Sequence, residues 1–252
     1  MCFALFSLAI SSAQQGKSAS ELYKEAVAAD ERAELDKAIA LYKQLLVLQP
    51  GSLLAHSNLG ADLASTGRYA EAVTEYQQAL KIEPKNRVVR LNLALARYKQ
   101  GEIQKAAETL AALHQEDPSN KQILYLLADC YLRLGRDSDV IELLTPVHKA
   151  DHNDEAVQYA LGTAYIREGK IPEGQAVIDP ILKNGNTPEA NLLMGEVQFA
   201  AGDYKTAAAT LRKATDLNPN LPGACCGDSS NSRRNSFSAS SLLPSKPRSV
   251  PT

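Results

Sequence analysis

A step of about 34 residues runs through most of this 252-residue chain and limits its fold more than any other feature. Glycine, alanine and proline each recur at that step in a separate register. The positions are Gly67, Gly101, Gly135 and Gly169; Ala38, Ala72 and Ala106; and Pro50, Pro84 and Pro118. Three registers with one period indicate a repeat architecture, in which each unit buries its apolar face against its neighbours.

The best-preserved copy is HSNLGADLASTGRYAEAVTEYQQALKIEP, which runs from His56 to Pro84. Its apolar residues follow helical spacing in two short segments, and Gly67 lies between them, where a helix end favours a left-handed backbone. Pro84 follows the second segment, where no further helical N–H is needed. The chain has no Trp and only four Phe, a composition that suits close helix packing better than a β-sandwich. Each copy is therefore predicted to be a helix–turn–helix unit.

The order of small and apolar residues in this copy resembles the tetratricopeptide repeat (TPR) family. The matching residues are Leu59, Gly60, Gly67, Tyr69, Ala72, Tyr76, Ala79 and Pro84, while His56 and Leu63 replace the Trp and Tyr of the family pattern. The resemblance implies an all-α fold, a right-handed α-solenoid of about six helix–turn–helix repeats. The expected repeats cover residues 19–52, 53–86, 87–120, 121–154, 155–187 and 188–221.

Two copies depart from the pattern. Pro146 and Pro180 lie late in the second helices of the fourth and fifth copies, and an interior proline removes a helical hydrogen bond. A local change of superhelix curvature is expected there. The step from Gly162 to Gly195 is shorter by one position than the step from Gly135 to Gly169.

The two ends differ from the array. Residues 1–18 are predicted to be a signal-peptide-like segment and short linker, because an apolar run from Cys2 to Ile10 precedes small residues, although the usual basic start is missing. Export to the periplasm or medium is expected if this holds, and a cytoplasmic location otherwise. Residues 222–252 are expected to be a disordered Ser/Pro-rich tail, native or arising from a gene-end artefact, in which Cys225 and Cys226 lack metal-ligand spacing.

The sequence offers little chemistry for catalysis. It has no glycine-rich phosphate loop, no G-x-S-x-G and no C-x-x-C, and its net charge of −2 does not favour nucleic acid. His148 and His152 are four residues apart, but Lys149 stands where a metallohydrolase helix has Glu, so solvated loop residues are expected. No enzyme activity, catalytic residue, cofactor or metal is predicted, and Cys130 is expected to be a small buried apolar residue.

Function is therefore expected on the concave groove that the resemblance implies, lined by the first helix of each repeat. The predicted peptide-binding residues are Asn58, Asn92, Leu95, Tyr98, Tyr125, Asp129, Tyr159 and Phe199. They predict a non-catalytic scaffold or adaptor that binds a partner peptide or helix, with self-association through an uncapped last repeat. The alternative is a recognition module or fragment of a larger multidomain enzyme or regulator.

Two binding modes are known in the family. A carboxylate clamp needs Lys and Asn, then Asn, then Lys and Arg on three successive repeats. The first three repeats carry Tyr23, Val27, Asn58, Val88 and Asn92 there, so the cationic cradle is absent and a clamp is not predicted. An asparagine ladder that grips peptide backbone would use Asn58 and Asn92, but it ends at Leu126.

Overall fold

The computed structural model describes residues 17–184, 187–200 and 202–219, and these residues form twelve α-helices and no strand. The helices are α1 (Ala19–Glu31), α2 (Leu35–Leu48), α3 (Leu53–Ser65), α4 (Tyr69–Ile82), α5 (Arg87–Gln100), α6 (Ile103–Glu116), α7 (Lys121–Arg133), α8 (Asp137–Ala150), α9 (Glu155–Arg167), α10 (Ile171–Asn184), α11 (Pro188–Ala200) and α12 (Tyr204–Leu217). Every odd-numbered helix begins at the first residue of a predicted repeat, which confirms the all-α repeat solenoid. The signal-peptide-like residues 1–16 and the tail with Cys225 and Cys226 lie outside the described residues.

The chain forms two compact units, divided between Ala96 and Arg97 within α5. In the first unit, helices α1 to α4 pack in chain order, and Tyr42, Leu45, Leu59 and Leu63 are almost completely buried between them. In the second unit, α6 to α12 do the same around a series of aliphatic clusters. Each helix therefore buries one apolar stripe against its sequence neighbours, as a stack of hairpins requires.

Odd-numbered helices start at polar residues that recur with the repeat. The side chain of the residue before each helix accepts a hydrogen bond from the backbone N–H three residues further on, which satisfies an otherwise unpaired donor. These N-cap residues are Ser18, Ser52, Asn86, Asn120 and Asp154. The start of the first helix in each of these repeats is therefore encoded locally.

The turn inside each hairpin needs a left-handed residue. Gly67, Gly101, Gly135, Gly169 and Gly202 all have positive φ, as predicted for the glycine register. Ala33 holds that position in the first repeat with φ of 58°. Its N–H bonds Asp30 O at 2.9 Å and the Glu34 N–H bonds Ala29 O at 2.9 Å, so the turn closes in the same way.

Replacing Ala33 with glycine is expected to raise the free energy of unfolding by about 0.5–1 kcal/mol, because it relieves the left-handed strain of a Cβ-bearing residue. Urea denaturation followed by circular dichroism measures the change. Gly67→Ala is the matched control and is expected to lower the same free energy. Equal stability of wild type and Ala33→Gly would show that the turn carries no strain.

Small residues allow close approach within hairpins, as predicted for Gly60. A Cβ on Gly60 would lie 2.7 Å from Cε1 of Tyr76, one on Gly162 would lie 2.5 Å from Cδ1 of Ile178, and one on Gly195 would lie 2.5 Å from Cγ of Leu211. These distances are shorter than carbon atoms tolerate, so glycine at these positions fixes the spacing of the two helices.

Both late prolines lie inside continuous helices. Helix α8 runs through Pro146 and α10 runs through Pro180. The predicted change of superhelix curvature stays a prediction.

The residue missing from the shortened step falls between α10 and α11, which are joined by three residues where the other repeats are joined by four.

Candidate functional site

The predicted groove residues in the first unit lie on α3 and α5. Asn58 is half-buried, and its Nδ2 donates to the hydroxyl of Tyr42 at 3.1 Å. Asn92 stands at the equivalent position one repeat later and is only 7% exposed, whereas Leu95 is half-buried. The two amides therefore differ in their access to a ligand, although the sequence predicted equivalent roles.

Tyr42 explains why Asn58 is held in place. The Tyr42 ring is fully buried and meets the edge of the Tyr23 ring, with 6.3 Å between centroids. Burial raises the pKa of Tyr42 well above its ordinary value, and the Asn58 hydrogen bond only partly opposes that rise. The hydroxyl is therefore protonated at neutral pH, and it accepts the amide hydrogen bond that orients Asn58 on α3.

Two predicted groove residues of the second unit bind each other inside the stack. Tyr98 and Asp129 are each 4% exposed, and the Tyr98 hydroxyl donates to Asp129 Oδ2. Arg133 lies one turn further along α7, with its Nε 3.1 Å from the same oxygen and its guanidinium carbon 4.6 Å from the centroid of the Tyr98 ring. Tyr98 and Asp129 thus join α5 to α7 beneath the surface, and their side chains offer a ligand little accessible area. Arg133 was not among the residues predicted from the sequence.

Tyr125 is half-buried and takes part in a link between α7 and α9. Its hydroxyl donates to Asp154 Oδ2 at 2.5 Å, and Lys121 Nζ lies 3.0 Å from the same oxygen. Asp154 also accepts from the Val157 N–H at 3.2 Å as the N-cap of α9. Burial opposes ionisation of Asp154, but the three hydrogen bonds outweigh it and hold the pKa of that carboxyl below its usual value. One carboxylate therefore fixes both the helix start and the helix contact.

The last two predicted groove residues differ in exposure. Tyr159 is half-buried and packs against the cluster formed by Ile178, Leu193 and Val197. Phe199 is 60% exposed, and its ring meets that of Tyr204 in an edge-to-face contact with 5.2 Å between centroids. Among the described residues of the second unit, the exposed large apolar side chains therefore lie on α11 and α12.

His148, His152 and Cys130 lie in the second unit, outside the predicted groove residues. His148 lies in the last turn of α8 and His152 in the turn that follows, so they do not share a helix face, as predicted. The expectation of solvated loop residues is wrong for His148, which is helical and half-buried, with 5.0 Å between its ring centroid and that of His152. Burial and the neighbouring His152 lower the pKa of His148. Within residues 17–184, 187–200 and 202–219, no group of three His, Cys, Asp or Glu side chains could hold a metal ion. Cys130 is fully buried, and burial raises the pKa of its thiol to about 12.

Family models match consecutive parts of the chain. A TPR repeat model matches residues 62–101, and two tetratricopeptide repeat models match residues 98–162 and 159–222. Together these matches extend over more than half of the 252 residues. The chain belongs to the tetratricopeptide repeat family. Proteins of this family are generally non-catalytic interaction modules that bind protein or peptide partners.

Solved TPR structures share the fold at low sequence identity. YrrB, described as a TPR protein with an unusual peptide-binding site, is 15% identical with a TM-score of 0.55, covering 71% of this chain and 93% of that one. PilF of Pseudomonas aeruginosa is 18% identical with a TM-score of 0.57, covering 80% and 92%. A tetratricopeptide repeat protein of Parabacteroides merdae is 20% identical with a TM-score of 0.52, covering 81% and 95%. No curated protein matches the sequence significantly.

Among the described residues, the TPR array contains no helix that is both long enough and apolar enough to cross a membrane.

Proposed function

We propose that this TPR array is a non-catalytic scaffold that binds a segment of a partner protein along the exposed faces of its odd-numbered helices. The observation that carries the proposal is the side-chain pattern on α3 and α5 in the first unit. Asn58 and Ala61 on α3 are half-buried, as are Leu91 and Leu95 on α5. Residues three or four apart share a helix face, so each helix offers a partly open apolar or amide-bearing strip.

The chemistry of this strip fits a peptide. The Tyr42 hydroxyl holds the Asn58 amide, and an amide can both donate to and accept from an extended backbone. The flanking side chains of Ala61, Leu91 and Leu95 supply apolar area without charge. YrrB, which shares the fold, is described as having a peptide-binding site. An apolar or weakly polar segment, extended or helical, is therefore the partner that this surface suits best.

Further parts of the proposal rest on the sequence. The array acts without nucleic acid, because its net charge is −2. It acts outside the cytoplasm, on the strength of the apolar run from Cys2 to Ile10. It also self-associates through its α11–α12 hairpin.

Replacing Leu95 with serine is expected to weaken peptide binding about tenfold, because one buried aliphatic contact is lost. Peptides would be selected from a random display library on the immobilised full chain, and their affinities measured by fluorescence anisotropy. Ile82→Ser on α4 is the matched control, since Ile82 is a 45% exposed aliphatic residue on an even-numbered helix of the same unit. Circular dichroism confirms that both variants fold.

Two results would contradict the proposed surface. One is a library that returns no peptide with saturable binding to the folded chain. The other is a selected peptide that keeps its affinity for Leu95→Ser but loses it for Ile82→Ser, which would place binding on the even-numbered helices.

A further inference from the structure

The exposed aromatic pair of α11 and α12 stands at positions whose equivalents in the preceding repeat are covered. Phe199 and Tyr204 are 60% and 65% exposed. One repeat earlier stand Ile166 and Ile171, which are half-buried and pack against the cluster formed by Ile178 of α10 and by Leu193 and Val197 of α11. The surface carrying Phe199 and Tyr204 is therefore the continuation of an established stacking interface, and it has the apolar character of that interface.

The residues one repeat further along the sequence differ in character from those of α11. One repeat after Leu193 and Val197, the sequence has Cys226-Gly227 and Ser230-Asn231. Small and polar side chains at those positions lack the aliphatic area that Leu193 and Val197 bury.

Helix α12 carries an uncharged stripe that begins at Tyr204. The α12 stripe consists of Tyr204, Ala208, Leu211 and Thr215, which lie three or four residues apart and share one face. Tyr204 and Ala208 are exposed, and Leu211 and Thr215 are half-buried. One side of Leu211 packs against Gly195 of α11, and the remainder of its side chain belongs to the stripe. The Thr215 hydroxyl donates to Arg212 O at 2.7 Å within its own helix, so its burial leaves no polar group without a partner.

The order of side-chain sizes along the stripe is self-complementary. It alternates large, small, large, small from Tyr204 to Thr215. Against an antiparallel copy of the same helix, Tyr204 faces Thr215 and Ala208 faces Leu211, so every large side chain meets a small one. A parallel copy would set large against large. Close packing therefore favours the antiparallel pairing.

The charges beside the stripe agree with the same arrangement. Lys205 and Asp216 are exposed and lie on one flank of the stripe, near opposite ends of α12. In antiparallel helices, a flank faces the same flank of the partner in reverse order, so Lys205 of one copy meets Asp216 of the other. The contact occurs twice across the two-fold axis, and both occurrences join opposite charges.

We propose that the α12 stripe is the homodimer interface of this protein, pairing antiparallel with the α12 stripe of a second copy. This inference rests on the self-association stated in the proposed function, and it names the surface and the partner. The dimer covers Phe199 and Tyr204. Dimerisation and peptide binding to α3 and α5 are measured in separate experiments.

Charge reversal tests the pairing in the full chain by sedimentation equilibrium at low ionic strength. Lys205→Glu sets an acid opposite Asp216 of the second copy, and Asp216→Lys sets a base opposite Lys205. Each is expected to raise the dimer dissociation constant about tenfold, whereas the double variant recovers it. Both changes suit the helix dipole, since an acid is favoured near the start of α12 and a base near its end, so neither should impair folding.

Two further variants sharpen the result. Lys213→Glu makes the same charge change on the far side of α12 and is expected to leave the dissociation constant unchanged. Tyr204→Ser removes apolar area from the stripe and is expected to give monomers.

Three outcomes would overturn the inference. They are a wild-type chain that sediments as a monomer at every concentration, a double variant that does not recover dimerisation, and a monomer that dimerises only when residues 222–252 are removed, which would make those residues the occupant. A monomeric wild type that still binds selected peptides would refute the dimer and leave the scaffold proposal intact.

Discussion

Replacing Asp129 with alanine is expected to lower the free energy of unfolding by about 3 kcal/mol, because it breaks a buried charged hydrogen-bond network. The Tyr98 hydroxyl, on a residue that is 4% exposed, loses the carboxylate to which it donates. Arg133, whose Nε lies 3.1 Å from that carboxylate, loses its counter-charge. Urea denaturation of the full chain, followed by circular dichroism, measures the loss.

The next repeat provides the control for this prediction. Leu132 and Thr163 stand where Tyr98 and Asp129 stand one repeat earlier. The double variant Tyr98→Leu/Asp129→Thr carries that pair into the earlier junction and removes both hydrogen-bonding partners together. It is expected to be at least about 1 kcal/mol more stable than Asp129→Ala, because the buried Tyr98 hydroxyl is removed together with the carboxylate to which it donates. A double variant less stable than Asp129→Ala would refute this account of the junction.

Replacing Gly162 with alanine is expected to lower the free energy of unfolding by about 2 kcal/mol, even though alanine is the better helix former. Its Cβ would lie 2.5 Å from Cδ1 of Ile178, which is fully buried and cannot swing into solvent. The two helices of the fifth hairpin must then move apart, and the packing of α9 against α10 loosens. Thermal denaturation measured by calorimetry reports the effect.

A double-mutant cycle with Ile178→Ala isolates this clash. Shortening Ile178 alone leaves a cavity and destabilises the hairpin, but it also makes room for a Cβ at position 162. The double variant Gly162→Ala/Ile178→Ala is expected to lose less stability than the sum of the two single losses. Strict additivity would show that Gly162 and Ile178 do not compete for the same space.

The fold was predictable from the sequence because its determinants are local and recur. The glycines of positive φ and the close-approach positions such as Gly60 stand in registers that the constant repeat length exposes. The N-caps follow the same rule, although they were not predicted from the sequence. Ala33 was harder to interpret, since alanine gives no signal for a left-handed turn and only its register reveals it.

The groove was less predictable, because the register locates a side chain on a helix face but not its partners in the next repeat. Tyr98 and Asp129 were expected to face a ligand, yet both are buried and hydrogen-bonded to each other. Their contact joins residues 31 positions apart, and it forms because Tyr and Asp happen to meet where the following junction has Leu132 and Thr163. Which residues contact each other across a junction therefore depends on the side chains packed there and cannot be deduced from the repeat length.

The recurrence of start and stop signals has an evolutionary consequence. The hairpins of the first five repeats each carry an N-cap at the start and a left-handed residue in the turn, so one whole repeat can be duplicated or lost as a block without damage to helix ends. The three-residue connection between α10 and α11 shows that the spacing between blocks can also shrink by one while both helices keep their lengths. Recombination between repeats can therefore change the number of repeats in the array, because each repeat supplies its own helix boundaries.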